Sequence, residues 1–113
     1  MRTTITRKVY VAAAFAAALL ASAATAVSAQ AADTNIIIDQ FTFTPQRVTV
    51  KAGATVAWIN DDDIPHTVAS STKVFKSKAL DTDDKYSYTF TKAGTYAYFC
   101  SIHPKMVGTI IVK

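Results

Sequence analysis

"YFCSIHPKMVG", residues 98–108, brings a thiol, an imidazole and a thioether close together along the chain, as Cys100, His103 and Met106. The stretch begins in alternating aromatics, breaks at Cys100, turns, and resumes as the apolar run "VGTIIV" at 107–112, so it reads as strand, tight loop, strand. Alternation along the first strand puts Tyr96, Tyr98 and Cys100 on one face and Ala97 and Phe99 on the other. The apolar strand that follows makes the face with the cysteine the inward one. A loop this short, with donors at i, i+3 and i+6, can turn all three side chains toward one point.

Outward from the loop, few other soft or imidazole donors exist. His66 and His103 are the only histidines, Cys100 is the only cysteine, and the methionines are Met1 and Met106. His66 follows the turn at 61–65, a place from which a neighbouring strand can deliver its imidazole beside Cys100.

The N-terminus carries Arg2, Arg7 and Lys8 ahead of an uncharged, Ala-rich run over residues 9–32, with small-residue cleavage sites at 27–31. This is the pattern of a secretory signal peptide over 1–31, cleaved near 29–32, and it predicts export to the periplasm. An uncleaved anchor is the rival reading, since about 20 apolar residues can span a bilayer. The cleavage sites and the Ser, Thr and Gln near the end of the run favour removal, after which no membrane segment is expected. Lys8 stands where a twin-arginine signal needs its second arginine, so the export route stays open.

Residues 32–113 then form one domain of roughly 80 residues, a size at which the core is marginal without a staple. A lone cysteine in an exported chain cannot supply an internal disulfide; a bound metal answers both the leftover thiol and the missing staple. The formal charge of +4 includes three basic residues of the leader, so nine basic residues face eight acidic ones in the rest, and nucleic acid is not an expected partner. The short runs Asp61, Asp62, Asp63 and Lys73, Lys76, Lys78 read as solvated loops.

Past the leader the period is two. β-Branched or aromatic stretches at 35–39, 47–50, 55–60, 85–90, 95–99 and 107–112 alternate with turn signals at Pro45, 51–53, 61–65, 81–84 and 92–94, and no capped amphipathic helix is present. Six to eight short strands in one domain predict an all-β sandwich, with Trp58 as core filling.

The donor types select the ion. Two imidazoles and a thiolate make a trigonal set, and a thioether is too weak a ligand to serve zinc but suits copper as a distant axial donor. The chemistry that needs His66, Cys100, His103 and Met106 together is one-electron transfer at a single type 1 copper. With every strong position around the ion taken and both histidines committed, no open site or nucleophile-base pair remains, so an enzyme is not expected.

These residues carry a resemblance. The spacing Cys100-x2-His103-x2-Met106, with "VTVKAGATVAWIN" at 48–60, "PHTV" at 65–68, "FTKAGTYAYFC" at 90–100 and "MVGTIIV" at 106–112, is similar to the cupredoxins and, within them, to the amicyanin group. The resemblance runs from about Phe43 to Lys113. It implies a Greek-key cupredoxin sandwich, His66, Cys100, His103 and Met106 as the copper ligands, the Pro65 carbonyl as a distant neighbour, and Tyr96 as a tyrosine corner. It also implies that the edge of His103 reaches the surface in an apolar patch framed by Ile64, Pro65, Ile102 and Pro104. Redox proteins, a dehydrogenase or a cytochrome c-type carrier, would dock there transiently on a monomer.

Three positions depart from the group. Ile102 replaces a frequent proline, which loosens the loop. Thr67 replaces a frequent asparagine, which is expected to weaken the side-chain clasp to the Cys100 loop and leave the Thr67 backbone N–H as donor to the sulfur. Lys105 replaces an apolar residue, adding positive charge beside the port. The alternative function is a copper-holding or copper-delivery protein of the periplasm, which would expose its ligands for exchange.

Overall fold

The computed structural model describes residues 33–113, and the expected signal peptide lies outside them. Eight strands follow in order: β1 (Thr34–Asp39), β2 (Thr42–Thr44), β3 (Arg47–Val50), β4 (Ala54–Asn60), β5 (Ala69–Ser70), β6 (Lys85–Phe90), β7 (Gly94–Phe99) and β8 (Val107–Val112). Six match the expected stretches to within a residue at their ends. The additions are β2 and β5, of three and two residues, too short to show a period of their own.

The strands make two four-stranded sheets, β2-β1-β4-β6 and β3-β8-β7-β5. Parallel pairs β1/β4 and β3/β8 lie inside otherwise antiparallel sheets, because the chain leaves one sheet for the other between β2 and β3 and returns at β4. The all-β sandwich expected from the period-two pattern is what forms. Among the described residues no helix is long and apolar enough to cross a membrane.

Alternation fixes which side chains meet between the sheets. Ile36 and Ile38 of β1, Val56 and Trp58 of β4 and Phe90 of β6 face Tyr98 of β7 and Ile110 and Val112 of β8, all buried. Each large apolar side chain buried this fully contributes about 1.5–3 kcal/mol relative to exposure. Trp58 is the hub, with Phe75, Tyr86, Phe90 and Tyr98 packed around it at ring-centroid distances of 5.4 to 6.5 Å. This bears out its reading as core. The Trp58 indole nitrogen and the Tyr98 hydroxyl have no hydrogen-bond partner there.

Two glycines are required by their surroundings. Gly53, at φ 94°, turns the chain between β3 and β4 where a side chain is disfavoured. Gly108 of β8 lies against the Tyr98 ring, and a Cβ there would collide with the ring and its hydroxyl, which the packed core keeps from moving aside. Two residues earlier on the same face of β7, the Tyr96 hydroxyl donates to the Lys92 carbonyl at 2.6 Å, which is the expected tyrosine corner.

Candidate metal centre

Cys100 is the first residue after β7 and is fully buried. The loop to β8 is closed by the backbone of the three candidate donors themselves. The Cys100 N–H donates to the Met106 carbonyl at 3.0 Å, the His103 N–H to the Cys100 carbonyl at 3.2 Å, and the Met106 N–H to the His103 carbonyl at 2.9 Å. The expected loosening at Ile102 leaves these contacts in place. Met106 is buried in the same apolar cluster as Cys100.

His66 arrives from the other side of the sandwich. Asn60, fully buried at the end of β4, shapes the turn that carries it: its side-chain amide donates to the carbonyls of Ile64 at 2.9 Å and Leu80 at 2.8 Å, and its oxygen accepts from the Asp62 N–H at 2.9 Å. A buried amide in which both donors and the acceptor are engaged specifies one path for the chain. His66 then pairs with Leu80 in a two-way backbone bridge, at 3.1 and 2.7 Å.

The three strong donors converge. Cys100 Sγ lies 3.7 Å from His103 Nδ1 and 3.9 Å from His66 Nδ1, and the three donor atoms all fall within 4.8 Å of one another. Bonds of about 2.0–2.3 Å from a first-row ion to nitrogen or sulfur reach donors at this spacing around one centre. Two imidazole nitrogens and one sulfur, with no carboxylate among them, suit copper rather than a hard cation.

Electrostatics around the sulfur favour its anion. Burial pushes the Cys100 thiol up, but the Thr67 N–H at 3.4 Å, the two imidazoles and the Thr67 hydroxyl at 3.7 Å outweigh it, and the thiol is brought from 9.0 down to about 6. The sulfur is therefore poised as a metal-binding thiolate at neutral pH.

Two expectations are corrected by this geometry. Asp62 is not a solvated loop residue: it is buried, and its carboxylate meets His66 Nε2 at 3.0 Å. That contact takes the outer nitrogen of the ring and leaves Nδ1 as the donor facing the sulfur. Its hydrogen bond to His66, against burial and with help from Asp63, draws the Asp62 carboxyl from 3.8 down to about 2. The clasp at Thr67 also survives the loss of asparagine. The Thr67 hydroxyl oxygen accepts from the Ser101 N–H at 2.7 Å and lies 2.7 Å from the Ser101 hydroxyl. Threonine thus locks the His66 strand to the Cys100 loop by side chain as well as by backbone.

A third participant was missed altogether. Phe41, between β1 and β2, is 54% exposed and presents its ring edge-on to His103 at 4.8 Å and to His66 at 5.7 Å. Asp62 had a readable signal, an acid four residues before a candidate ligand; Phe41 had none, being far from the motif in sequence. Of the predicted patch, Pro65, Ile102 and Pro104 are exposed and Ile64 is half-buried.

Comparison with known proteins agrees with the fold. The cupredoxin-like domain family matches residues 11–112. Amicyanin-alpha of Methylorubrum extorquens is 35% identical over 115 residues, covering 88% of this chain and 97% of that protein. Amicyanin of Paracoccus versutus is 38% identical over 67% of this chain, which spans 61% of that relative's length. Among solved structures, the amicyanin of Paracoccus versutus superposes with a TM-score of 0.67 at 36% identity over 72% of this chain and 81% of that one. A purple cupredoxin from Nitrosopumilus maritimus superposes at 0.68 with 33% identity, over 72% of this chain and all of its own. The chain belongs to the cupredoxin family, is amicyanin-like within it, and has the donor set of a blue copper electron carrier.

Proposed function

We propose that this chain is an exported periplasmic electron carrier in which His66, Cys100 and His103 would hold one type 1 copper through Nδ1, Sγ and Nδ1, with the Met106 thioether as a fourth, weak donor. The observation that carries the reading is the convergence of those three donor atoms from two separate segments. Copper held there alternates between two oxidation states and so handles one electron at a time.

The chain's own residues supply the rest. A loop closed by three of its own hydrogen bonds and clasped by Thr67 resists rearrangement, which keeps the cost of changing the ion's charge low. Asp62 holds the inner imidazole in one tautomer. The half-buried His103 is the electron port, and the exposed Ile102 and Pro104 that flank it in the sequence, with the exposed Pro65 that precedes His66, form the apolar contact for a transient partner. The resemblance would make the Pro65 carbonyl a distant neighbour of the ion. Exposed Lys105 next to this patch favours a partner with an acidic face, such as a dehydrogenase or a c-type cytochrome, met by a monomer. Full burial of Cys100 supports the carrier over a delivery protein, whose ligands need access for exchange. The leader over 1–31 supports the periplasmic location.

The test is to add Cu(II) to the purified mature protein and record visible and electron paramagnetic spectra, with Cys100→Ser as control. An intense blue product with reversible reduction is expected, lost in the control; a colourless wild-type product would remove the reading.

A further inference from the structure

The connection between β1 and β2 is two residues long, since Asp39 pairs with Thr42, and both residues are left-handed, Gln40 at φ 48° and Phe41 at φ 58°. Such a hairpin turn favours Asn-Gly, because a side chain at positive φ crowds its own backbone. A bulky aromatic in that region is an outlier, and outliers of this kind persist where the surroundings use them. Local contacts hold the turn, with the Gln40 N–H donating to the Asp39 carboxylate at 2.9 Å and the Thr42 hydroxyl to the Gln40 carbonyl at 3.2 Å.

What the strain secures is visible in the ring's neighbours. Phe41 stays half in solvent, so core burial does not account for it. Among the described residues its only aromatic neighbours are the two imidazoles, each met edge-on, at 87° and 89°. The two histidines differ in their need for such a neighbour. His66 is fully buried and tied through Nε2 to Asp62. His103 is half-buried, and its only side-chain contact of hydrogen-bond type among the described residues is Nδ1 toward the sulfur. Nothing of that kind holds its outer edge.

We propose that Phe41 is a positioning residue for the copper centre: its ring, held over the imidazoles by a strained turn, keeps His103 from swinging out of the site and so slows loss of the metal. This rests on the copper reading above. The backbone cost at residue 41 is offset by retention of the metal, so relief of the strain and retention of copper should move in opposite directions.

The test compares wild type with Phe41→Gly and Phe41→Tyr. Thermal stability is measured on the metal-free proteins, and the release of Cu(I) to bathocuproine disulfonate on the reduced, loaded ones. In Phe41→Gly the metal-free protein should be as stable as wild type or more so, since glycine adopts positive φ freely, while copper release should quicken by about tenfold. Phe41→Tyr, which keeps the ring, should return the release rate to that of wild type. In NMR spectra of the reduced form, the His103 ring signals should broaden in Phe41→Gly and those of His66 should not. Release within about twofold of wild type, or faster release accompanied by a matching loss of metal-free stability, would overturn the proposal and leave Phe41 a structural residue. Failure of wild type itself to take up copper would overturn the metal reading, and this inference with it.

Discussion

His66 and His103 offer the same atom, Nδ1, to the same sulfur at nearly the same distance, 3.9 and 3.7 Å, yet they are held by different means. The inner one is fully buried, reached by a turn built on Asn60, bridged to Leu80 and fixed through its outer nitrogen by Asp62. The outer one sits on a self-closing loop, half in solvent, with an aromatic ring against its edge. The difference separates two jobs that a carrier's ligands must do. On the proposed function, one would anchor the ion to the fold, and the other would open it to a partner.

The sharpest way to break that contrast is to remove each ring in turn. His66→Gly should abolish the blue centre, and added imidazole should not bring it back, because the vacated space is sealed in the core. His103→Gly should also lose the colour but recover it with millimolar imidazole, which can enter from the surface. Visible titration distinguishes the two; equal rescue of both would show that the inner ring is not sealed. Next in size is Asp62→Ala, expected to lower copper affinity by about 10–100-fold, as loss of a carboxylate behind a ligating histidine commonly does. Asp62→Asn, which keeps an acceptor for Nε2, should lose less, and a competition assay with a chelator ranks the three proteins.

The sulfur shared by both rings carries the pH prediction. With its thiol lowered from 9.0 to about 6, the ionised form stabilises the metal-free fold fully above pH 9. That contribution is lost as pH falls from 9 through 6. Ultraviolet absorbance of the thiolate in the metal-free protein should show a midpoint near 6, and a midpoint near 9 would mean that Thr67 and the imidazoles do not act on the sulfur. The smallest effect is at the outer ring's surface. Lys105→Glu should slow association with an acidic redox partner by severalfold and weaken its dependence on salt, while stopped-flow traces that match wild type at all ionic strengths would exclude a steering role.

The outer half of the site was legible because its parts are local. Cys100, His103 and Met106 lie on one short loop between two strands whose alternation shows in the residues, so the inward direction of Cys100 follows from period two and its meeting with His103 from loop length. Trp58 and Tyr96 were legible for the same reason, each sitting in a strand with a clear inner face. His66 was identifiable by scarcity, as the one histidine left over. What was misread was its support, although an acid four residues before the histidine was there to notice. Asp62 sits in a run of three acids that composition alone marks as solvent-exposed, and only the turn enforced by Asn60 aims it at the ring. Thr67 looked like a lost clasp because the side chain was judged by type, whereas its hydroxyl happens to reach Ser101.

By itself, then, the chain's order of residues determined an all-β sandwich, the candidate donors and the choice of copper, since strand period, donor softness and scarcity are properties of type and spacing. The tertiary structure alone decided which nitrogen of each ring faces the sulfur, that a buried carboxylate meets one ring, and that a phenylalanine at positive φ lies edge-on to the other. The contacts of Phe41 with the imidazoles and of His66 with the sulfur join segments that are remote along the chain, and the local contact of Asp62 with His66 depends on a turn that buried Asn60 shapes; no pattern within any one segment encodes a distance set by another.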